Sequence, residues 1–461
     1  IYNIWLLGAK EITLPIIEDY LQQRPKALAI FKTNKGEEFI LKSAETANLS
    51  TFNYYYNRMK KMSLFRAYEA MGMDLSWIYD PDNILDTKKK QKQEDWLDSA
   101  SLADIYNKIN DRIDEVKEKY VDELRDGGSQ IGTGIDELVD SFAEVPAVGY
   151  PLYDTYTTTI ARGARLGKFF LRSAATNVGK TRAMIGDACY IGCSQMYDNS
   201  SNKWITTGAC QSTLFIATEQ DLDEIQISAL AFISGVEEDH ITMHEYYAGE
   251  WERIEKAKML LKQSKIQFKC MSDFTMEDIE ILIKKHIREN QVHYIFYDYI
   301  HSSAKILAEV GGKAGIRNLR EDNILFLMSS KLKDIAIQYD VFILSSTQLN
   351  AAYQDSDTPD QNLLRGSKAI ADRIDLGTIM LEVRKEDREK IQSFCDKNGL
   401  SVPNVKMSVY KNRANKWKGI YLWMHAETGV CRYKTLFCTD WAFNIIEIPL
   451  LKIKVEEESS F

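Results

Sequence analysis

The stretch GKFFLRSAATNVGKT, residues 167–181, carries the strongest indication of the fold in this sequence. It begins with a short apolar strand at residues 169–171 and continues through a turn of small residues. It ends with Gly179, Lys180 and Thr181, where an apolar helical segment begins. A strand that turns into a helix in this way presents backbone N–H groups and a helix N-terminus, which together bind phosphate. The stretch therefore predicts a phosphate-binding loop.

In such a loop the lysine reaches the β- and γ-phosphates of a nucleotide and the threonine hydroxyl binds Mg²⁺. We therefore expect ATP and Mg²⁺ as cofactors, with Thr181 as a magnesium ligand. The spacing departs from the usual motif at Ala174, where glycine is the common residue. The predicted cofactor-binding residues are consecutive: Ala175, Thr176, Asn177, Val178, Gly179, Lys180, Thr181 and Arg182.

Length and composition limit the possible classes of protein. At 461 residues, two or three structural units are expected. No apolar run approaches the roughly 18 residues of a membrane span, and no signal segment opens the chain, so we expect a cytoplasmic protein without a membrane partner. The net charge of −9 argues against a surface that coats nucleic acid everywhere, but it permits a local basic channel.

Three regions differ in pattern. Residues 1–85 predict a smaller, mainly helical or mixed N-terminal domain. Residues 86–130 predict a linker with an amphipathic helix, because apolar residues recur there at spacings of three and four. These are Leu102, Ile105, Ile109, Ile113, Val116, Tyr120 and Leu124. Residues 131–461 predict a third and larger domain.

In that larger domain, strand-like apolar runs alternate with helical segments. The predicted strands are 168–171, 213–217, 266–269, 293–297, 341–345 and 376–383, and the predicted helices are 181–196, 222–233, 251–262, 276–289 and 325–339. After Pro403 the pattern becomes richer in strands, at 405–410 and 419–425. This alternation predicts an α/β fold with a mostly parallel sheet and helices on both faces. Functional residues are then expected at the carboxyl ends of the strands.

Three of these strand ends carry polar side chains that suit phosphoryl transfer to water. Glu219 could orient and deprotonate the attacking water, and Asp298 could hold Mg²⁺. Gln348 could sense the γ-phosphate. Each one taken alone could instead be a cap or turn residue. One bound Mg-ATP explains them together with Lys180.

With these residues in place, the chain resembles the DnaB-type replicative helicases, whose motor is a RecA-like ATPase domain. The resemblance covers residues 131–425 and is strongest in the phosphate loop, in 250–300, in STQLN at 346–350 and in KNR at 411–413. It implies that alanine is an ordinary residue at the first loop position. It also implies that Glu219 is the general base, that Asp298 is associated with Mg²⁺ and that Gln348 is the phosphate sensor.

The resemblance implies a role in a neighbouring subunit for Lys411 and Arg413. In the family, this Lys-x-Arg pair reaches into the ATP site of the next subunit of a homohexameric ring, where the arginine stabilises charge on the γ-phosphate. Read from the residues alone, Lys411 and Arg413 share one face of a strand, as exposed basic residues on an ordinary edge strand also do.

Two basic loops are the candidates for contact with single-stranded DNA. The family's channel loop corresponds to residues 363–370, in which Arg365, Gly366, Ser367 and Lys368 could grip successive phosphates. A second loop, 313–320, carries Arg317 and Arg320 among glycines. The alternative for both loops is a plain solvated surface.

Several positions depart from the family's pattern. The phosphate loop has Thr176 and Asn177 where arginine and proline are usual, and Asn415 replaces a glycine two residues beyond Arg413. In the channel loop, Gly366 stands in place of an acidic residue and Lys368 in place of glycine. The ATP chemistry is retained, so these departures indicate a divergent helicase of a phage or mobile element.

We therefore expect an ATP hydrolase that moves along single-stranded DNA and unwinds duplex DNA in replication, assisted by a loader or a primase. Two other functions fit the same ATP site. One is a RecA-like assembly or remodelling ATPase that does not unwind DNA, and the other is a recombinase-like ATPase that binds a strand and forms filaments. Stimulation of hydrolysis by single-stranded DNA and separation of a forked duplex would distinguish a helicase from the first alternative.

Overall fold

The structure is a computed structural model that describes residues 13–46, 49–83, 86–120, 131–144, 148–207, 210–307, 321–350, 353, 359–364 and 370–451. The chain divides into two compact units, Ile1–Ser129 and Gln130–Phe461. Within the described ranges, no helix combines the length and the apolar character needed to cross a bilayer.

In the described part of the first unit, the regular secondary structure is helical. Its helices are α1 (Leu14–Gln22), α2 (Pro25–Thr33), α3 (Gly36–Thr46), α4 (Leu49–Ala70), α5 (Thr87–Ser99) and α6 (Leu102–Tyr120). A small core joins α4, α5 and α6 and includes Phe65, Leu97, Ile105 and Ile109. The predicted amphipathic stripe is therefore buried at its start. Farther along α6 it emerges into solvent, at Ile113 and Val116.

The second unit alternates helices and strands. Its strands are β1 (Phe169–Ala174), β2 (Gln195–Asp198), β3 (Lys203–Thr206), β4 (Thr213–Ala217), β5 (Ile266–Cys270), β6 (Tyr294–Asp298), β7 (Phe342–Ser345), β8 (Leu376–Glu382), β9 (Val405–Asn412), β10 (Ile420–Glu427), β11 (Arg432–Asp440) and β12 (Ile445–Ile446). Its helices are α7 (Ile135–Glu144), α8 (Thr155–Ala161), α9 (Lys180–Gly192), α10 (Leu222–Ser234), α11 (Glu238–Met243), α12 (Glu250–Gln263), α13 (Met276–Asn290), α14 (Glu321–Gln338), α15 (Ile370–Arg373) and α16 (Lys385–Asn398).

Ten of these strands form one sheet in the order β12-β11-β10-β9-β8-β1-β7-β6-β4-β5. The six strands from β8 to β5 in that order run parallel, and β9 to β12 continue the sheet antiparallel. The predicted α/β fold with a mostly parallel sheet, preceded by a smaller helical region, is confirmed.

The central strands were predictable because helices cover both faces of the sheet. Every residue of β1, β4, β6 and β7 is buried. Strands buried on both faces read as continuous apolar runs rather than as alternating patterns. The predicted bounds of these four strands accordingly differ from the observed bounds by no more than three residues at either end.

The predicted helix 181–196 is wrong at its C-terminal end. Helix α9 stops at Gly192, and Cys193 is extended, with φ −112° and ψ 154°. A side chain at Gly192 would collide with Ile266, because a Cβ there would lie 2.4 Å from the Cγ1 atom. The chain then forms the two-stranded hairpin of β2 and β3, which was not predicted. Strands β11 and β12 were not predicted either.

A buried ion pair fastens α9 to the central strand. Arg172 lies in the middle of β1, and its Nη2 atom is 2.6 Å from Oδ2 of Asp187 on α9. Only 9% of the Arg172 side chain and 4% of the Asp187 side chain are exposed. The other Asp187 oxygen, Oδ1, accepts a hydrogen bond of 2.9 Å from the backbone N–H of Tyr153. The phosphate-binding loop lies between the two elements that this ion pair joins.

We expect Asp187→Ala to lower the free energy of unfolding by about 3–5 kcal/mol, because it leaves the Arg172 charge buried without its partner. Urea unfolding of the purified variant would measure the loss. The matched control is Glu289→Ala, which removes a surface partner of Lys285 and should change stability by less than about 0.5 kcal/mol. Equal stability of Asp187→Ala and the parent would show that the pair is not structural.

Candidate active site

The register of the parallel strands brings Glu219, Asp298 and Gln348 together at the edge of the sheet where these strands end. Ala217 at the end of β4 pairs with Asp298 at the end of β6. Ala174 at the end of β1 forms a bridge with Gln348, just beyond β7. Glu219 follows β4 by two residues. Because all four strands point the same way, their polar ends surround the loop that connects β1 to α9.

The backbone of that loop has the conformation of a phosphate cradle. Asn177 and Gly179 have positive φ values of 66° and 89°. A Cβ atom at Gly179 would lie 1.7 Å from the hydroxyl oxygen of Tyr433, so only glycine fits there. The same Tyr433 hydroxyl donates a hydrogen bond of 3.2 Å to the carbonyl oxygen of Val178. Helix α9 then begins at Lys180, and its first N–H groups face the loop.

Asp298 is the centre of a small polar cluster. Its Oδ1 atom is 3.0 Å from Nζ of Lys180 and accepts a hydrogen bond of 2.7 Å from the Ser346 hydroxyl. Its Oδ2 atom accepts a hydrogen bond of 2.5 Å from the Thr181 hydroxyl. Only 6% of Asp298 is exposed. The lysine and the threonine of the phosphate loop therefore both contact the aspartate, which was predicted from a separate stretch of sequence.

The oxygen atoms of Thr181 and Asp298 fit Mg²⁺. Mg²⁺ prefers oxygen ligands and is usually held by one or two carboxylates together with substrate phosphates and water. A hydroxyl and a carboxylate in contact beside a phosphate-binding loop provide that set of donors. The two residues predicted as magnesium ligands are thus placed together by the fold.

Glu219 and Gln348 meet on a residue that the sequence analysis missed. The hydroxyl of Tyr299 donates a hydrogen bond of 2.8 Å to Oε1 of Glu219. The same hydroxyl oxygen accepts a hydrogen bond of 3.2 Å from Nε2 of Gln348. Tyr299 directly follows Asp298, so its place at the sheet edge could have been read from the sequence, but its two partners could not. Ser346 was missed for the same reason.

Arg182, another predicted cofactor-binding residue, has an acidic partner of its own. Its guanidinium forms an ion pair with Glu238 at the start of α11, and Glu238 also accepts a hydrogen bond of 2.5 Å from the Ser228 hydroxyl. The cleft that Arg182 lines encloses about 730 Å³ and also includes the phosphate loop, Glu219 and Gln348. That volume lies within the range of about 300–1,000 Å³ typical of ligand sites.

Lys411 and Arg413 lie at the opposite edge of the sheet, where the parallel strands begin. Nζ of Lys411 donates to the carbonyl oxygen of Ala371, and Nη2 of Arg413 donates 2.9 Å to that of Asp372, both in α15. Burial lowers the pKa of Lys411, and the neighbouring Arg413 lowers it further. The side chain of Arg413 remains 52% exposed. Lys411 lies in β9, and Arg413 directly follows that strand. Because β9 is flanked by β8 and β10, the pair is not on an edge strand.

The separation of Arg413 from the phosphate loop follows from strand length. The N–H of Arg413 donates to the carbonyl oxygen of Asp375, whose own N–H donates to that of Phe169, the first residue of β1. The loop begins after Ala174, five residues farther along the strand. At a rise of about 3.3 Å per residue, Arg413 and the loop are therefore offset by about 17 Å along the strand direction.

The residues predicted to bind DNA lie outside the described part of the chain. These are Arg365, Gly366, Ser367 and Lys368 in one loop, and Arg317 and Arg320 in the other. The described residues at the boundary of the first loop are Leu364, which forms a bridge with Leu349, and Ile370, which begins α15.

Comparisons with known proteins agree with this architecture. The DnaB-like helicase C terminal domain matches residues 156–431. The SPbeta prophage-derived uncharacterized protein YorI of Bacillus subtilis (strain 168) is 37% identical over 456 residues, which cover 98% of this chain and 90% of YorI.

Two solved structures are similar in fold, each at 16% sequence identity and a TM-score of 0.50. One is the structure of an ATPase domain, in which the match covers 67% of this chain and the whole of that domain. The other is a DnaB-like replicative helicase described with its interactions with primase, and the match covers 76% of this chain and 81% of that one. These likenesses bear on the fold alone, and they agree with the predicted RecA-like domain.

Proposed function

The chain belongs to the DnaB-like helicase family, as its sequence predicted, and we propose that it is an ATP-dependent DNA helicase that moves on single-stranded DNA during replication. Its relative YorI comes from a prophage, which agrees with a replication protein of a phage or mobile element. The observation that carries the proposal is the contact of both Lys180 and Thr181 with Asp298 at the sheet edge that also holds Glu219 and Gln348. This edge contains every group that one chain must supply for ATP hydrolysis.

In the proposed reaction, the loop N–H groups and Lys180 bind the β- and γ-phosphates of ATP. Glu219 accepts a proton from a water molecule, whose oxygen attacks the γ-phosphorus. The bond from that phosphorus to the β–γ bridging oxygen breaks, and ADP keeps the electron pair. Gln348 hydrogen-bonds the γ-phosphate and so reports its presence or loss. Thr181 and Asp298 would hold Mg²⁺, which neutralises phosphate charge when bound.

Lys180 lies where it can serve both the phosphates and the magnesium site in this proposal. Its ammonium group is paired with Asp298, the proposed magnesium ligand. The β- and γ-phosphates of ATP would give the same ammonium group further anionic partners.

Arg413 is proposed to act on the ATP of a neighbouring subunit. It cannot reach the loop of its own chain, which lies about 17 Å away along β1. Its side chain is half exposed, and its guanidinium donates to the backbone oxygen of Asp372 in α15 and lies 3.9 Å from Oδ1 of Asp375. The arginine is therefore held at a defined position that solvent can reach. This placement supports a head-to-tail homohexameric ring, in which the amino edge of one sheet faces the carboxyl edge of the next.

Asn415 stands where the family has glycine, and its side chain makes hydrogen bonds close to Arg413. Its Oδ1 atom accepts hydrogen bonds from Nδ2 of Asn412 and from the backbone N–H of Trp417. Its Nδ2 atom donates 2.7 Å to the carbonyl oxygen of Ile160. The side chain thus fixes the turn that follows Arg413, and the departure from the family is compatible with the proposed role of that arginine.

Contact with DNA is proposed for the loops 363–370 and 313–320. They carry the basic residues Arg365, Lys368, Arg317 and Arg320, which would follow the phosphates of a single strand in the channel of the ring. A loader or a primase is a further proposed partner, since one similar structure is of a helicase that interacts with primase.

We expect single-stranded DNA to stimulate ATP hydrolysis by the parental protein, and Lys180→Ala to lower the rate at least about 100-fold, because a phosphate-binding charge is lost. Steady-state phosphate release with and without an oligonucleotide would measure both effects. The matched control, Lys285→Ala on an exposed face of α13, should keep the parental rate. Hydrolysis that DNA does not stimulate would favour the alternative of a remodelling ATPase.

A further inference from the structure

We propose that Tyr299 is a positioning residue that couples the general base Glu219 to the phosphate sensor Gln348. The inference rests on the proposed ATP hydrolysis and adds a residue to it. Tyr299 is 9% exposed, and its backbone N–H donates 3.4 Å to the Thr218 hydroxyl, so the residue is held from the side of β4 as well as by β6.

The two hydrogen bonds of the Tyr299 hydroxyl have a fixed direction. A carboxylate can only accept and an amide nitrogen can only donate. The hydroxyl proton therefore goes to Oε1 of Glu219, at 2.8 Å, and the hydroxyl oxygen accepts from Nε2 of Gln348, at 3.2 Å. The result is a chain of hydrogen bonds from sensor to hydroxyl to base, in which each bond polarises the next.

The ring of Tyr299 contacts a third member of the site. Nζ of Lys180 lies 3.8 Å from the ring centroid, within the distance of a cation–π interaction. The same ammonium group is paired with Asp298, the residue before Tyr299. One side chain therefore touches the base, the sensor and the phosphate-binding lysine.

These contacts make the position of Glu219 depend on Gln348. Glu219 is itself exposed, and the Tyr299 hydroxyl donates a hydrogen bond that holds its carboxylate. When the Gln348 amide turns towards a γ-phosphate, the hydroxyl loses the hydrogen bond from Gln348, and its hold on Glu219 changes. Hydrolysis is thereby linked to recognition of the γ-phosphate through Tyr299, which itself need not touch the reacting atoms.

The variant Tyr299→Phe removes the hydroxyl and keeps the ring beside Lys180. We expect kcat for ATP hydrolysis to fall about 10- to 100-fold, because the base is no longer held in position. KM for ATP should stay within about twofold, since the phosphate-binding groups are intact. A purely structural role would instead appear as a lower unfolding midpoint in urea.

Tyr297→Phe is the matched control. Tyr297 lies in β6, two residues before Tyr299, and is fully buried. Its hydroxyl has no hydrogen-bond partner in the described part of the chain. The same chemical change there should leave kcat unchanged. Equal kcat for Tyr299→Phe and the parent would overturn the proposal.

The coupling itself is tested with a double-mutant cycle of Tyr299→Phe and Gln348→Ala. If Tyr299 transmits the effect of Gln348, the double variant should be no slower than the slower single variant. Multiplicative losses in kcat would mean that the two residues act independently, and would also overturn the proposal. A parental kcat in Lys180→Ala would instead refute the proposed hydrolysis itself, so the two failures are distinguishable.

Discussion

Replacing Arg413 with alanine should reduce DNA-stimulated ATP hydrolysis by about 10³- to 10⁵-fold, the effect typical of an arginine that stabilises a phosphoryl-transfer transition state from a neighbouring subunit. The loss should appear in kcat, whereas ATP binding should change little, because the loop and Lys180 are untouched. Arg288→Ala, on the exposed face of α13, is the matched control and should keep the parental rate.

The decisive form of this experiment mixes two inactive variants. In a ring that contains both Arg413→Ala and Glu219→Gln subunits, some interfaces combine an intact Glu219 with an intact Arg413 from the neighbour. Activity should therefore return on mixing, although neither variant is active alone. If the mixture stays as inactive as its components while the subunits demonstrably exchange, Arg413 does not act in trans.

The second large effect is expected at Glu219. Glu219→Gln keeps the size and the hydrogen-bonding capacity of the side chain but removes its ability to accept a proton. We expect kcat to fall about 10²- to 10⁴-fold, the usual contribution of a general base. Binding of a fluorescent ATP analogue should remain within about twofold of the parental affinity, because phosphate contacts are unchanged.

Glu255→Gln is the control for this substitution. Glu255 lies on α12, is about half exposed, and is paired with Lys258 at the surface. Its replacement should leave hydrolysis unaltered. Retention of the parental rate by Glu219→Gln would remove Glu219 from its proposed role as the base, while the phosphate loop could still bind nucleotide.

The parallel part of the sheet was predictable because its strands are buried on both faces. The apolar runs that become β4, β6 and β7 lack the alternation of apolar and polar residues that is typical of a strand with one solvated face. A polar residue of the site follows each run. The hairpin of β2 and β3 was not predictable, since residues 195–206 mix polar and aromatic residues and carry no apolar run. Its position depends on tertiary contacts, such as that of the Trp204 ring in β3 with Lys256 on α12.

The candidate site shows the same division. Lys180, Thr181, Asp298, Glu219 and Gln348 could be found one at a time, because each stands at a strand end or in a motif. Tyr299 and Ser346 became visible only when the strands were paired, because their roles come from contacts across the sheet. Likewise, that Arg413 lies at the opposite edge from the loop follows from the antiparallel pairing of β9 with β8.

The most direct test of the account is separation of a forked DNA duplex by the parental protein in the presence of Mg-ATP, with Lys180→Ala measured in parallel. A fluorophore and a quencher on the two strands would report unwinding in real time. We expect the parental protein to separate the strands only when ATP is hydrolysed, and Lys180→Ala to leave the fork intact. Parental protein that hydrolyses ATP in response to single-stranded DNA but never separates the fork would contradict the proposal that this chain is a helicase.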